Sequence, residues 1–224
     1  MDIASQLSGA VTAIVRRVDA LAHQRCLVVA VSGIDASGKT TTARLLAQSL
    51  EAHALQTAVV HLDDWHTAPE VRFSALDPGG HFYRQAYRFT ELFRLLVAPL
   101  KADRRLSLAV TLRQLPDNRE FAHTYHFEDI DVLILEGILL LKAKLRSQYD
   151  YTIWVDCPFE MALRRAIHRN QEGLSAEEIV TDYRRIYFPA EELHIRRDAP
   201  QSHADLVIST ATPQLHHRLQ ETKE

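Results

Sequence analysis

Cys26-Leu-Val-Val-Ala-Val-Ser32 runs directly into Gly33-Ile-Asp-Ala-Ser-Gly38-Lys39-Thr40, and then into Thr41-Thr-Ala-Arg-Leu-Leu-Ala-Gln-Ser-Leu50. The first piece is continuously apolar and rich in β-branched residues, the pattern of a strand buried on both faces. The last has helical periodicity. Between them stand two glycines with four residues between them, followed by Lys-Thr, which is the pattern of a phosphate-binding loop (P-loop). There, backbone N–H groups and a helix N-terminus cradle phosphates while the lysine reaches the β and γ groups. Gly33 and Gly38 allow the backbone close to a ligand; Asp35, Ala36, Ser37, Lys39 and Thr41 are expected around the phosphates; the Thr40 hydroxyl stands where Mg²⁺ is held. Average residue frequencies produce such a match in a chain of this length on the order of once in a hundred, and the strand before it and the helix after it lower that further.

Working outward, residues 57–62 read as a second strand ending in Asp63-Asp64, and residues 131–136 as a third, ending in Gly137. Residues 151–155, capped by Asp156, and 205–209 read as a fourth and a fifth. Helical patterns lie at 89–98 before Pro99, at 159–169, and at 176–187 before Pro189, and an amphipathic helix falls within residues 1–24. Strands alternating with helices predict an α/β fold: a P-loop NTPase-type parallel sheet of about five strands with helices on both faces, plus a helical lid around 165–200, all in one domain over 1–224. Two stretches interrupt the alternation. Residues 65–88 are polar and aromatic with a turn at Asp77-Pro-Gly-Gly80, and residues 104–127, around Pro116-Asp-Asn118, suit a hairpin or a structured loop.

Composition bounds what such a fold can be used for. The 224 residues include 7 Gly and 8 Pro, too few for a collagenous or low-complexity chain, and 46% are hydrophobic, enough for a substantial core. A net charge of −3 argues against a protein that lives on nucleic acid through overall charge. The 2 cysteines, Cys26 and Cys157, are far apart beside apolar runs and read as free buried thiols in a reducing compartment. No secretory signal is legible, and the apolar run at 132–141 contains Glu136 and falls short of the ~18 residues of a membrane span. A cytoplasmic protein with no membrane partner is expected.

A P-loop alone says only that a nucleoside triphosphate binds. The reaction must come from the other strand ends, which in an open parallel sheet emerge at one edge, so Asp63, Asp64 and Glu136 are expected to face the crevice that holds Lys39. An acid there can take the proton of an attacking hydroxyl or hold Mg²⁺. The chain has neither the Asn-Lys-x-Asp base-reading motif of switch GTPases nor the Leu-Ser-Gly-Gly-Gln signature of transport ATPases. A small ATP- and Mg²⁺-dependent phosphotransferase remains. It must exclude water, commonly with a positively charged lid, and Arg164, Arg165 and Arg169 have that placement. Trp65 and His66 follow the Asp-Asp pair and are candidates to line an acceptor pocket with Asp64, although an aromatic after a strand is also ordinary core. Arg113 and His123, with Arg119 and His126 nearby, offer cations to an anionic or polyhydroxyl acceptor.

Taken together, these pieces resemble the family of uridine kinase, phosphoribulokinase and bacterial pantothenate kinase. The loop is similar to the family's loop, His61-Leu-Asp-Asp-Trp-His66 to its Asp-Asp/Ser-Phe-His/Tyr segment, and Leu133-Ile-Leu-Glu-Gly-Ile-Leu-Leu140 to its Glu-Gly segment. Val155-Asp-Cys-Pro-Phe-Glu160 and His203-Ala-Asp-Leu-Val-Ile208 match later runs, and Tyr183-Arg-Arg-Ile-Tyr-Phe-Pro189 looks like a segment of bacterial uridine kinase-like proteins. The resemblance implies Asp63 as catalytic base, Lys39 on the transferred phosphoryl group, Thr40 and Glu136 beside Mg²⁺, and Arg165 and Arg169 as lid arginines. Two departures stand out. The lid reads Arg169-Asn-Gln-Glu-Gly-Leu174 in place of a more basic turn, and the Tyr-Asp-Phe segment with its histidine, which meets the pyrimidine, is replaced around Leu112-Arg113-Gln114. The implied activity is ATP-dependent transfer of the γ-phosphoryl group to a hydroxyl of a small metabolite, nucleoside or ribosyl-like. A pantothenate- or sugar-phosphate-type kinase, or a nucleotide-binding regulatory protein without turnover, remains an alternative, as does a homo-oligomer.

Overall fold

A computed structural model describes residues 2–114, 117–170 and 173–211. In chain order the elements begin with α1 (Ile3–Ala20), β1 (Leu27–Gly33), α2 (Lys39–Glu51), β2 (Thr57–His61) and a 3₁₀ turn (Leu62–Trp65). Next come α3 (Pro69–Arg72), α4 (Pro78–Gln85), and α5 (Phe89–Leu92), which continues through a π turn (Phe93–Val97) into α6 (Ala98–Asp103). After β3 (Leu106–Gln114), β4 (Arg119–Phe127), β5 (Val132–Gly137) and β6 (Tyr151–Asp156) the chain is helical again. There α7 (Phe159–Arg169) precedes α8 (Ala176–Asp182), which passes through a second π turn (Tyr183–Tyr187) into α9 (Phe188–Asp198); α10 (Pro200–His203) and β7 (Leu206–Ser209) follow.

All five expected strands form one parallel sheet in the order β2-β5-β1-β6-β7. The apolar runs of the central strands β5, β1 and β6 are continuous because both of their faces are covered, while the edge strands β2 and β7 are only partly buried. Val28 and Ala30 of β1 and Leu133 and Leu135 of β5 enter one core with Trp65, Phe82, Leu92 and Leu96. Their alternating neighbours Leu27, Val29, Val31, Val132 and Ile134 enter the other, with Leu7 and Ile14 of α1 and Leu46 and Leu50 of α2. Each such fully buried aliphatic side chain contributes ~1.5–3 kcal/mol. The chain reverses direction of winding at β1, whose neighbours are β5 and β6, and this opens a crevice beyond its carboxyl end.

Two local expectations change, and of the two outcomes expected for residues 104–127 one is found. The helices at Pro99 and Pro189 do not stop there. In each, the residue before the proline donates five residues back, Ala98 N–H to Phe93 O and Phe188 N–H to Tyr183 O, and the widened turn makes room for the pyrrolidine ring. The Asp77-Pro-Gly-Gly80 stretch is a helix start, not a free turn: the Asp77 carboxylate accepts from Gly80 N–H at 3.1 Å and caps α4. The 104–127 stretch is a separate antiparallel hairpin, β3 with β4, paired from Leu106↔Phe127 to Gln114↔Arg119. Its inward face sets Tyr125 on Trp65, so it clamps the 3₁₀ turn that follows β2. Leu115 and Pro116 of the hairpin, Gln171 and Glu172 of the charged lid stretch, Met1 and everything after Ala211 lie outside the described residues. Among those described, no helix is long and apolar enough to cross a membrane. Cys26 and Cys157 are buried and free, and burial pushes the Cys26 thiol up to about 12.

Candidate active site

The crevice is built first by the loop. Gly33 ends β1, and a Cβ there would lie 2.4 Å from the Val155 carbonyl oxygen and 2.7 Å from Ser37 Oγ, so no larger residue lets β6 and the loop approach this closely. Gly38 opens α2 at φ +102°, a left-handed conformation that suits glycine, and no side chain caps the helix. The first N–H groups of α2 are therefore left open toward the crevice, as an anion site requires. Lys39 is buried, and its ammonium donates to the Ile34 carbonyl at 2.8 Å.

A cavity of about 530 Å³ brings the predicted residues together. Asp35, Ala36, Gly38, Lys39, Thr40 and Thr41 line it from the loop, while His61, Asp63 and Asp64 reach it from the end of β2. Glu136 of β5 and Arg165 and Arg169 of α7 complete the lining. The register explains the grouping, since His61 stands beside Glu136 and Glu136 beside Val31, which puts three strand ends in one row.

Charge in this space is concentrated. Glu136 Oε1 lies 3.2 Å from Thr40 Oγ1 and 2.6 Å from His61 Nδ1, while its other oxygen is buried without a partner. The His61 imidazole is raised by its hydrogen bond to Glu136. Asp63 is exposed to the crevice it lines; desolvation by the crowded surroundings, then the negative charges of Glu136 and Asp35, push its carboxyl up to about 6. Asp64 is also raised by burial, against the pull of His61 and His123. Burial acts on Asp35 too, but Lys39, Arg169 and the Tyr183 hydroxyl outweigh it and hold its carboxyl low. An acid-rich pocket with one orphaned carboxylate oxygen beside a threonine hydroxyl fits a divalent cation. Among the described residues no three His, Cys, Asp or Glu side chains form a cage, so Thr40 and Glu136 would hold Mg²⁺ together with phosphate oxygens and water.

On the α7 side, Arg165 donates to Thr210 O at 2.8 Å, to Thr210 Oγ1 at 3.1 Å and to Ser37 O at 3.3 Å. Arg169 reaches Asp35 Oδ2 at 3.3 Å. Arg164 is exposed and does not line the cavity. The acceptor candidates divide. Trp65 is fully buried, its indole N–H 3.3 Å from the Tyr125 hydroxyl, and belongs to the core because the hairpin covers it. His66 is buried against Tyr87, ring centroids 4.5 Å apart. Arg113 is engaged by the Glu120 carboxylate and the Asn118 carbonyl, while His123, on the inward face, is within electrostatic reach of Asp64. Arg119 and His126 are exposed and pair with Asp117 and Glu128, so the hairpin does not present a single cationic wall.

Several residues at the site escaped the sequence reading. Tyr87 donates to Asp63 Oδ1 at 3.0 Å, and Tyr183 donates to Asp35 Oδ2. Glu191 Oε1 accepts from the Asp35 N–H at 2.6 Å; desolvation, reinforced by Asp35, pushes its carboxyl up to about 8. His61 and Tyr183 sit inside segments already singled out by resemblance. Glu191, 156 residues from its partner, left no local signal.

A family model settles what this geometry belongs to: residues 28–215 match the phosphoribulokinase / uridine kinase family. The chain belongs to that family. It is a P-loop kinase, an ATP-dependent phosphotransferase whose acceptor group is a hydroxyl, and its substrate is a small molecule. A uridine kinase of Cronobacter sakazakii is 30% identical over 196 residues, covering 83% of this chain and 87% of that protein. Among solved structures, a candidate fructose transport system kinase from Silicibacter sp. TM1040 has a TM-score of 0.68 at 23% identity, covering 92% of this chain and 98% of the other. A candidate uridine kinase from Bacillus stearothermophilus has a TM-score of 0.65, also at 23% identity, with 87% and 98% covered. These two share the family's fold with the chain.

Proposed function

We propose that the protein transfers the γ-phosphoryl group of ATP to a hydroxyl of a nucleoside or ribosyl-like metabolite, with Asp63 as the base. The observation that carries this reading is the pairing, in one crevice, of an uncapped α2 N-terminus with a carboxylate held near 6. At neutral pH such a carboxylate is mostly ionised yet basic enough to take a proton from an alcohol as it attacks. Tyr87 grips Oδ1 and orients the carboxylate toward the acceptor side of the crevice. Lys39 and the loop N–H groups bind the donor's phosphates and meet the charge that develops on transfer. Mg²⁺, when bound, neutralises phosphate charge beside Thr40 and Glu136. Arg169, bridging from α7 to Asp35, and Arg165, tying α7 to the loop, carry positive charge on a segment with its own small core of Leu163, Ala166, Ile179, Tyr183 and Phe188. The part that packs on itself, α7 with α8, suits a lid that excludes water; the expected lid over residues 165–200 is thereby shortened, because Ala190 of α9 enters the main core and Asp198 accepts from the Tyr83 hydroxyl and the Ala143 N–H.

Phosphoryl transfer is measured as ADP formed with and without each member of a panel of hydroxyl compounds. Acceptor-dependent ADP formation that disappears in Lys39→Ala and in excess chelator is expected. Lys39→Ala activity within a few-fold of the parent would contradict the assignment.

A further inference from the structure

Arg72, the last residue of α3, is the least satisfied charge among the described residues. It is 3% exposed, yet its Nε and Nη1 have no hydrogen-bond partner. Only Nη2 is engaged, donating to Asn118 Oδ1 at 2.5 Å, and the guanidinium stacks on the Phe73 ring at 4.7 Å from its centroid. Arg25, Arg104 and Arg113 are each matched with a carboxylate, whereas no carboxylate among the described residues pairs with Arg72. A guanidinium cannot shed its proton to escape this situation. A buried charge of this kind persists when something that binds there completes it.

Its position says what that something is attached to. Tyr87 links the region to the base, its hydroxyl on Asp63 Oδ1 and its ring against His66. Arg72 is within electrostatic reach of Asp63, His66, Tyr87 and Tyr187. His66 is 4% exposed and its Nδ1 is likewise buried without a partner. Burial and the Arg72 cation hold that imidazole down to about 3, so it is neutral and offers a hydrogen bond without adding charge. Three donor or acceptor atoms on Arg72 and His66 thus stand without a partner behind Tyr87, the residue whose hydroxyl holds Asp63.

We infer that the acceptor carries an oxyanion, a carboxylate or a phosphate ester, in addition to the hydroxyl that is phosphorylated, and that Arg72 binds it with His66 alongside. This rests on the kinase reading above and narrows its acceptor to the ribosyl-like compounds that carry such a group, which leaves out a neutral nucleoside. A neutral alcohol would leave the guanidinium unpaired, and a site built around a buried polar group rejects ligands that cannot satisfy it by large factors. The cation in question is not one of the hairpin residues that the sequence offered; it sits on α3, under the hairpin tip, where Asn118 closes over it.

The test uses matched acceptors that differ in one group: a neutral polyol, the corresponding sugar acid and the corresponding sugar phosphate, with a neutral nucleoside alongside. One of the two anionic arms is expected to exceed the neutral compounds in kcat/KM by about 10²-fold or more, and the better arm tells carboxylate from phosphate. Arg72→Gln collapses that ratio by a similar factor, and Arg72→Lys, which restores the charge without the fork, recovers part of it. Neutral acceptors that equal or beat both anionic ones overturn the inference and leave the kinase reading standing. A second measurement is independent of turnover. In ADP-saturated protein, the sugar acid or the sugar phosphate, each added separately, raises the melting temperature of the parent and not of Arg72→Gln, and Arg72→Met raises the melting temperature of the ligand-free protein by removing an unpaired charge. If no alcohol is phosphorylated at all, the kinase reading fails while this binding measurement still decides the role of Arg72. An Arg72→Met protein less stable than the parent would mark the arginine as a structural element and refute the proposal.

Discussion

In the proposed reaction Asp63 is the base, and its environment fixes a pH profile. Its carboxyl is pushed to about 6 by desolvation in the crevice and then by the charges of Glu136 and Asp35. The base works only when ionised, so the acid limb of kcat/KM, which reports the free enzyme, should have its midpoint near pH 6. At pH 5 about one molecule in eleven then carries the active form, so kcat/KM should be about elevenfold below its plateau. Asp63→Asn preserves shape and removes the proton acceptor, so kcat should fall by roughly 10²- to 10⁴-fold with ATP affinity nearly kept. Tyr87 supplies a control: Tyr87→Phe removes a hydrogen bond that favours the carboxylate and should move the limb toward higher pH. Steady-state rates from pH 4.5 to 8, with nucleotide binding followed separately by fluorescence titration, make the comparison. If Asp64→Asn produces the loss and Asp63→Asn does not, the wrong acid has been chosen. A limb that ignores Tyr87→Phe would show that the titrating group lies elsewhere.

Glu191 should make the ligand-free protein less stable as pH rises. Its carboxyl is protonated in the fold up to about 8 and ionises near 4.5 when unfolded, so between those values the folded state holds the extra proton and stability falls by up to about 1.4 kcal/mol per pH unit. Glu191→Gln, which can still accept from the Asp35 N–H, should flatten that slope in denaturant titrations; an unchanged slope would refute the assignment. Arg169→Ala should lower kcat about 10- to 100-fold with little change in ATP affinity, because a half-exposed side chain contributes mainly when the lid closes on developing charge; a loss confined to nucleotide binding, read by isothermal titration, would make it a binding residue instead.

What the sequence determined by itself was whatever chain neighbours encode. The strand, loop and helix from Cys26 to Leu50 are contiguous, and two glycines at fixed spacing oblige the backbone to make the phosphate cradle. The central strands β5, β1 and β6 were legible because both faces of each are buried, so they appear as nearly unbroken apolar runs, and the half-buried edge strands β2 and β7 appear as shorter ones; acids that follow such strands must emerge at one edge of a parallel sheet. Pairings between distant segments carry no such signature. Whether Trp65 lines a pocket or fills the core depends on Tyr125, 60 residues away on a hairpin whose alternation alone left two outcomes open. Pro189 reads as a helix stop until the preceding π turn accommodates it, and that helix is what carries Glu191 to the Asp35 N–H. Arg72 looks like one more surface charge in a polar stretch; only the packing of α3 beneath Asn118 and beside Phe73 buries it without a counter-charge. Periodicity records which face of an element is dry, and it cannot record which side chain from another element arrives there, because that is set by the packing of the assembled layers.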